Sequence, residues 1–310
     1  TYCDMQWAGD QLDMFFDISR RGSSVSTELR AGLTSFLTLS YLLLVNPQVL
    51  AKAGLNAEDV VTSMCLSCGI PTLISGIFGN LPFVMAPGLG LSAYLTYGLV
   101  LKKIMTWQES MGCILIAGLI MGFLSVTDLV TKSMKYVPGH IKLATIIGIG
   151  LLLATIGFEA AGVIVDGQLS DTIATAAAWP TWAALAGLMV IAVLNFWDLP
   201  GAILIGVLSV SLVLWYGRND WPTKFVEVPA IDDTWMKFSV STLQPATAVP
   251  AVITFLLVSL FDCSGCLIGL SRKAGIIGHV DDPVPGGTWA LVACSLGTVI
   301  SACTGNSPII

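Results

Sequence analysis

Charge is scarce in this chain. Aspartate, glutamate, lysine and arginine make up 11% of its 310 residues, whereas 55% are hydrophobic. A soluble domain carries about 25% charged residues, so these side chains cannot cover a water-facing surface. Net charge is −6 and no basic stripe runs along the sequence, which excludes the electrostatic footprint of a nucleic-acid binder. The short alternating segments of a transmembrane barrel are missing as well. No cluster of nucleophile, base and metal ligands is present, so an enzyme is not expected.

Histidine is nearly absent, with only His140 and His279, both in loops between apolar runs. Zinc needs four converging ligands, and the half-sites Cys65-x-x-Cys68 and Cys263-x-x-Cys266 lie in apolar helical runs. These thiols read as small buried hydrophobes, and neither a metal nor a cofactor is expected. The chain does not open on Met and stops at Ile309-Ile310 inside an apolar run. It is therefore expected to be a fragment, truncated at least at its C-terminal end.

What the sequence does have is apolar length. Mean hydropathy is +0.83, and the apolar residues come in runs of about 20, enough for a helix to span a hydrocarbon core of about 30 Å. The chain reads as an all-α polytopic membrane protein. Residues 1–26 form a mixed, interfacial segment. A first span covers 29–48 and is expected to stop at Asn46-Pro47, because proline removes a donor and restricts its neighbour. A second covers 59–79, with Glu58-Asp59 at the end that favours acids. Further spans are read over 107–127, 140–165, 181–196, 200–216, 248–271 and 288–302, with a polar loop over 217–247. Alternating them puts Arg20, Arg21, Arg30, Lys132, Lys135, Lys142, Arg272 and Lys273 on one side, which the positive-inside rule assigns to the inside.

Two stretches break the pattern. Gly79-Asn80-Leu81-Pro82 through Pro87-Gly88-Leu89-Gly90 cannot continue a helix, and the apolar run after it is too short to span alone. Thr304-Gly305-Asn306-Ser307-Pro308 starts a second break with the same Gly-Asn-x-Pro spelling. Irregular backbone at membrane depth is tolerated only where protein or a water-filled cavity satisfies it. Transporters place their substrate between such broken helices, and matching breaks in the two halves of a chain point to an inverted repeat.

Asp262 is the clearest ionisable residue inside a span. Such residues face the bundle interior or a cavity and mark a pathway. At helical spacing, Ser259, Asp262, Gly265, Cys266 and Gly269 share one small, polar face, where another backbone could approach closely. A carboxylate there can accept hydrogen bonds from ring N–H or exocyclic amine groups and can carry a proton. Read instead as structural, it would bond a helix terminus. Glu159 and Asp166 sit near a span end, where structural or interfacial roles are expected, and Asp198 lies in a solvated turn.

Several motifs in order carry a resemblance. Thr27-Glu28-Leu29-Arg30-Ala31-Gly32-Leu33-Thr34-Ser35-Phe36-Leu37-Thr38 with Asn46-Pro47, Ala86-Pro87-Gly88-Leu89-Gly90 with Ala93-Tyr94, Gly148-Ile149-Gly150-Leu151 with Ile156-Gly157, Phe261-Asp262 with Gly265, and Gly305-x-Ser307-Pro308 resemble the AzgA-like purine permeases of the nucleobase/ascorbate transporter superfamily. The resemblance implies a 14-segment fold of two inverted seven-segment repeats, with the third and tenth segments broken. It implies a core domain at 27–135 and 248–310 and a gate domain at 136–247. It implies proton-coupled import of adenine, guanine and hypoxanthine across the plasma membrane, with the core moving against the gate, and an expected homodimer. The site it implies comprises Asp262, also the proton-coupling group, with Phe261, Cys266, Ser92 and Thr304. Ser92 stands where the family usually has Asn, a shorter group that still donates and accepts. A sulfate-type anion carrier of related architecture and a channel or membrane receptor are the competing readings. The first would favour helix N-termini and basic groups, the second a continuous polar pore.

Overall fold

The computed structural model describes residues 22–127, 139–165, 168–169, 179–197, 201–218, 231–278 and 284–310, together with 13, 15–16, 18–19, 129 and 199. Most of the interfacial segment read over 1–26 lies outside them, as do Asp166, Asp198 and His279. Helices dominate. In chain order they are α1 (Val25–Leu39), α2 (Leu42–Ala51), α3 (Ala57–Gly79), α4 (Leu89–Ala93), α5 (Trp107–Val126), α6 (Gly139–Ala160), α7 (Trp179–Phe196), α8 (Ala202–Arg218), α9 (Pro245–Lys273) and α10 (Gly287–Thr304). Seven residues of wider, π-type winding, Tyr94–Val100, continue α4.

Six of the described segments, α1 and α2 counted as one, are long and apolar enough to cross a membrane. Their outward faces carry large apolar side chains such as Leu29, Leu119, Phe123 and Met189. In water that surface would be unstable; against lipid it is the expected exterior.

The helix ends follow from local chemistry. Asn56 caps α3 by accepting from the Glu58 N–H at 3.1 Å, with Glu58 and Asp59 in the first turn. Thr106 and Glu109 form a reciprocal capping box at the start of α5. α3 stops where Asn80 turns left-handed at φ 48°, its N–H bonding back to the Ser75 carbonyl.

The first span corrects the sequence reading. Pro47 does not end it but sits inside α2. The break comes earlier, at Ser40–Tyr41, and the stop comes later, after Ala51, before Gly54 at φ 93°. Neighbouring groups re-satisfy the backbone around a membrane-embedded proline, and here Asn46 and Pro47 are both buried. The span read over 140–165 also ends sooner, at Ala160. It is followed by a two-residue antiparallel pairing of β1 (Ile164–Val165) with β2 (Gln168–Leu169), which hydropathy alone does not signal.

Packing centres on α10, which lies against α3 and α5, while α9 packs on α5. α7 and α8 pack chiefly on each other, and α4 touches α6. Gly297 permits the close approach of α10 to α3. A Cβ there would fall 2.6 Å from the Pro71 ring and 3.1 Å from the Ile309 Cβ.

Candidate substrate site

Two helices end in the interior and hand over to extended chain. α3 leads into residues 80–88, and α10 leads through Gly305, at φ 91°, into residues 306–310. Prolines 82, 87 and 308 cannot donate, so neither stretch can continue a helix. The two stretches satisfy each other. The Ala86 N–H donates to the Ile310 carbonyl at 3.1 Å, the Ile310 N–H returns to Ala86 at 2.9 Å, and the Gly88 N–H donates to the Pro308 carbonyl at 3.1 Å. This short antiparallel crossing, centred on Pro87 and Ile309, answers where the backbone hydrogen bonds of two broken segments go. Side chains complete it, with Thr72 Oγ1 accepting from the Met85 N–H at 3.0 Å and Thr298 Oγ1 accepting from the Ile309 N–H at 3.2 Å.

A buried polar network pins the crossing. Ser92 Oγ, on α4, lies 2.5 Å from Asn46 Oδ1 and 2.7 Å from Ser307 Oγ. The Asn46 amide donates to Asn306 Oδ1 at 2.8 Å, and the Asn306 amide donates to Ser67 Oγ at 2.9 Å. Thr304 Oγ1 and Ser63 Oγ are 2.5 Å apart. All seven side chains are buried. A fully satisfied polar network fixes one arrangement of its members, because any alternative leaves an unpaired group in low dielectric.

The residues expected to touch substrate divide into two sets. Ser92 and Thr304 are 0% and 2% exposed with their hydroxyls engaged, so in this arrangement they hold backbone rather than face open space. On α9, Asp262 and Phe261 are half-buried, Cys263 is buried and Cys266 is exposed. A Cβ at Gly265 or Gly269 would meet nothing within 4 Å, so no described backbone approaches closely at these two positions, whereas Ser259 at the other end of the face is buried. The face presenting Asp262 and Cys266 is open. A cavity of about 220 Å³ lies between α4, α6 and α9, lined by Gly90, Leu91, Tyr94, Gly148, Leu152, Thr254 and Val258 and not by Asp262 itself. Val258 precedes Asp262 by one turn. Tyr94 packs edge-on against Phe255 of the same helix, ring centres 5.3 Å apart.

A larger cavity, about 730 Å³, lies at the ends of α3, α9 and α10 and is lined by residues such as Phe78, Asn80, Gly275 and Trp289. Neither cavity is lined by Asp, Glu, Lys, Arg or His; the smaller one is preferred because two of its lining residues, Thr254 and Val258, lie on α9 two turns and one turn before Asp262. Among the described residues no group of three or more His, Cys, Asp or Glu is placed to hold a metal ion. Each Cys-x-x-Cys pair splits, with Cys65 and Cys266 exposed and Cys68 and Cys263 turned inward.

Sequence reasoning missed Asn46 and Asn306. Asn46 reads with Pro47 as a helix stop, although an amide inside an apolar run is itself a signal that a buried partner exists. It also missed that Asp59 accepts from the loop N–H groups of Asp233 and Thr234, at 2.7 and 3.1 Å.

Comparison with known proteins identifies the family. Residues 26–310 match the permease family named for xanthine and uracil permeases. A permease of Methanocaldococcus jannaschii is 32% identical over 96% of this chain and 69% of its own length. The guanine/hypoxanthine permease PbuO of Bacillus subtilis is 30% identical over 94% of this chain and 69% of its own. The adenine permease AdeQ of Escherichia coli is 30% identical over 96% and 67%. With membrane-length helices, two interlocked broken segments and this family match, the chain belongs to the xanthine/uracil permease family and is an integral membrane transporter, not an enzyme.

Proposed function

We propose that this permease imports purine nucleobases, namely adenine, guanine and hypoxanthine, across the plasma membrane together with protons. The observation that carries this reading is the half-buried carboxylate of Asp262 on α9, one helical turn beyond Val258, which lines a cavity walled on another side by α4, the helix that follows the first broken segment. A purine offers ring N–H and amine donors to a carboxylate acceptor, and its flat apolar body suits walls built from Tyr94, Leu91 and Val258. An anionic substrate would meet repulsion from Asp262 instead. The relatives PbuO and AdeQ are a guanine/hypoxanthine permease and an adenine permease.

In this account Asp262 binds the base and carries the coupled proton, while Phe261 and Cys266 flank it. Ser92 and Thr304 act mainly by holding the two broken segments in register, and Ser92 reaches substrate only if its network opens. The core comprises 27–135 and 248–310, and the gate comprises 136–247. The packing of α10 on α3 and α5, apart from the α7–α8 pair, supports that division. Both broken segments begin at a left-handed residue in a Gly-Asn-x-Pro sequence, Asn80 and Gly305, which supports an inverted repeat within a 14-segment carrier and movement of core against gate.

The test is labelled adenine uptake by the full-length parent protein in cells lacking their own purine carriers, with sulfate uptake measured in parallel. Uptake of adenine but not sulfate, falling to background in Asp262→Asn at equal surface amount, is the expected result. Sulfate uptake, or adenine uptake indifferent to Asp262, would overturn the reading.

A further inference from the structure

The last carbonyls of a helix have no partners within it, and at the end of α10 they are buried. Residues 234–236 supply the partners. The Met236 N–H donates to the Cys303 carbonyl at 2.6 Å, and Thr234 Oγ1 donates to the Thr304 carbonyl at 2.7 Å across 70 residues of chain. Contact continues into the next residue, where a Cβ on Gly305 would sit 2.5 Å from the Thr234 Cβ. The turn that caps α10 is itself anchored. Asp59, 2% exposed, accepts the Asp233 and Thr234 N–H groups on one oxygen. Further along, the Ser239 N–H donates to the Gln108 carbonyl at 2.9 Å, and Gly112 leaves room for the Ser239 carbonyl, which would lie 2.4 Å from any Cβ there. The segment 233–239 thus ties together the starts of α3 and α5 and the end of α10.

A buried carboxylate is costly unless its lone pairs are filled, and charge-assisted bonds to backbone N–H groups are the stronger kind. Asp59 therefore holds the turn stiffly, and the turn sets the direction in which the chain leaves α10. What leaves α10 is the strand carrying Asn306 and Ser307, which bond Asn46 and approach Ser92.

We propose that Asp59 and Thr234 are positioning residues for the transport site: neither touches substrate, and together they fix the angle of the second broken segment and so the geometry against which substrate is bound. A displacement of that strand weakens binding rather than merely lowering the amount of folded protein, because oriented contacts tolerate little misplacement.

The experiment uses the full-length protein and rests, for its ligand, on the purine reading above. Adenine uptake is measured against concentration for wild type, Thr234→Val, Thr234→Ser and Asp59→Asn, each normalised to the amount at the membrane. Valine keeps the shape against Gly305 but loses the hydroxyl; serine keeps the hydroxyl. The expected result is an apparent KM raised about tenfold in Thr234→Val and in Asp59→Asn, and returned to within about twofold of wild type in Thr234→Ser. An unchanged KM in Thr234→Val and Asp59→Asn, or equal effects of valine and serine, would overturn the proposal. Should wild type carry no purine, the purine reading fails, and a second readout decides this inference. With every cysteine but Cys303 replaced, maleimide labelling of Cys303 should be several-fold faster in Thr234→Val. An unchanged labelling rate would overturn the proposal.

Discussion

Asn46 donates its side-chain amide to Oδ1 of Asn306 at 2.8 Å, although 260 residues separate them in the chain. That bond joins the first span to the second broken segment, and through Ser92 it joins both to the first. Residues that local rules assign to three different roles thus meet in one buried cluster.

Removing the hub should weaken the network. Asn46→Ala leaves Asn306 Oδ1 without its donor and takes one of its partners from Ser92 Oγ, and an unsatisfied buried group costs about 1–3 kcal/mol. The expected outcome is a lowered thermal midpoint for the purified full-length protein and loss of adenine uptake. A midpoint equal to wild type would show that the network carries no stability.

Ser92→Ala tests the role given to that hydroxyl. It should lower stability by about 1–2 kcal/mol through loss of the links to Asn46 and Ser307. Its effect on the thermal midpoint should not shrink when adenine is added. A variant of wild-type stability with a raised KM would show instead that Ser92 contacts substrate directly.

Two glycines on neighbouring helices should behave oppositely. At Gly297 a Cβ collides with the Pro71 ring and crowds the Ile309 Cβ, so Gly297→Ala should cost about 1–3 kcal/mol through overpacking. At Gly265 a Cβ meets nothing within 4 Å, and Gly265→Ala should leave the thermal midpoint unchanged. Measuring both midpoints in one detergent checks whether α10 or α9 carries the tight seam.

How much of this was legible in the sequence depends on the range of the interaction. Membrane-length helices are written in apolar runs such as Ala57–Gly79, and the breaks are written in Gly79-Asn80 with Pro82 and in Gly305-Asn306 with Pro308, because proline and glycine act on their own backbone. Asp262 could be singled out since an ionisable group inside a span needs a reason. Pro47 misled because a local rule met a tertiary exception, a proline whose surroundings repair the helix. Asn46 inside an apolar run signals a buried partner, but neither its pairing with Asn306 nor that of Asp59 with Thr234, 175 residues apart, can be read from the sequence. Polar pairing across such separations follows from packing and not from spacing.

Cys266 reports on the open face. It is exposed, and one helical turn separates it from Asp262, while Cys263 is buried. A membrane-permeant maleimide should label Cys266 and spare Cys263, and saturating adenine should slow Cys266 labelling by several-fold if the base sits beside Asp262. Labelling indifferent to adenine would move the substrate away from this face.

The measurement closest to the central claim is adenine accumulation in proteoliposomes carrying the full-length protein, driven by an imposed pH gradient, for wild type and Asp262→Asn. The account predicts gradient-driven accumulation by wild type and none by Asp262→Asn, with both proteins folded and inserted to the same extent. Accumulation by Asp262→Asn equal to that of wild type would contradict it.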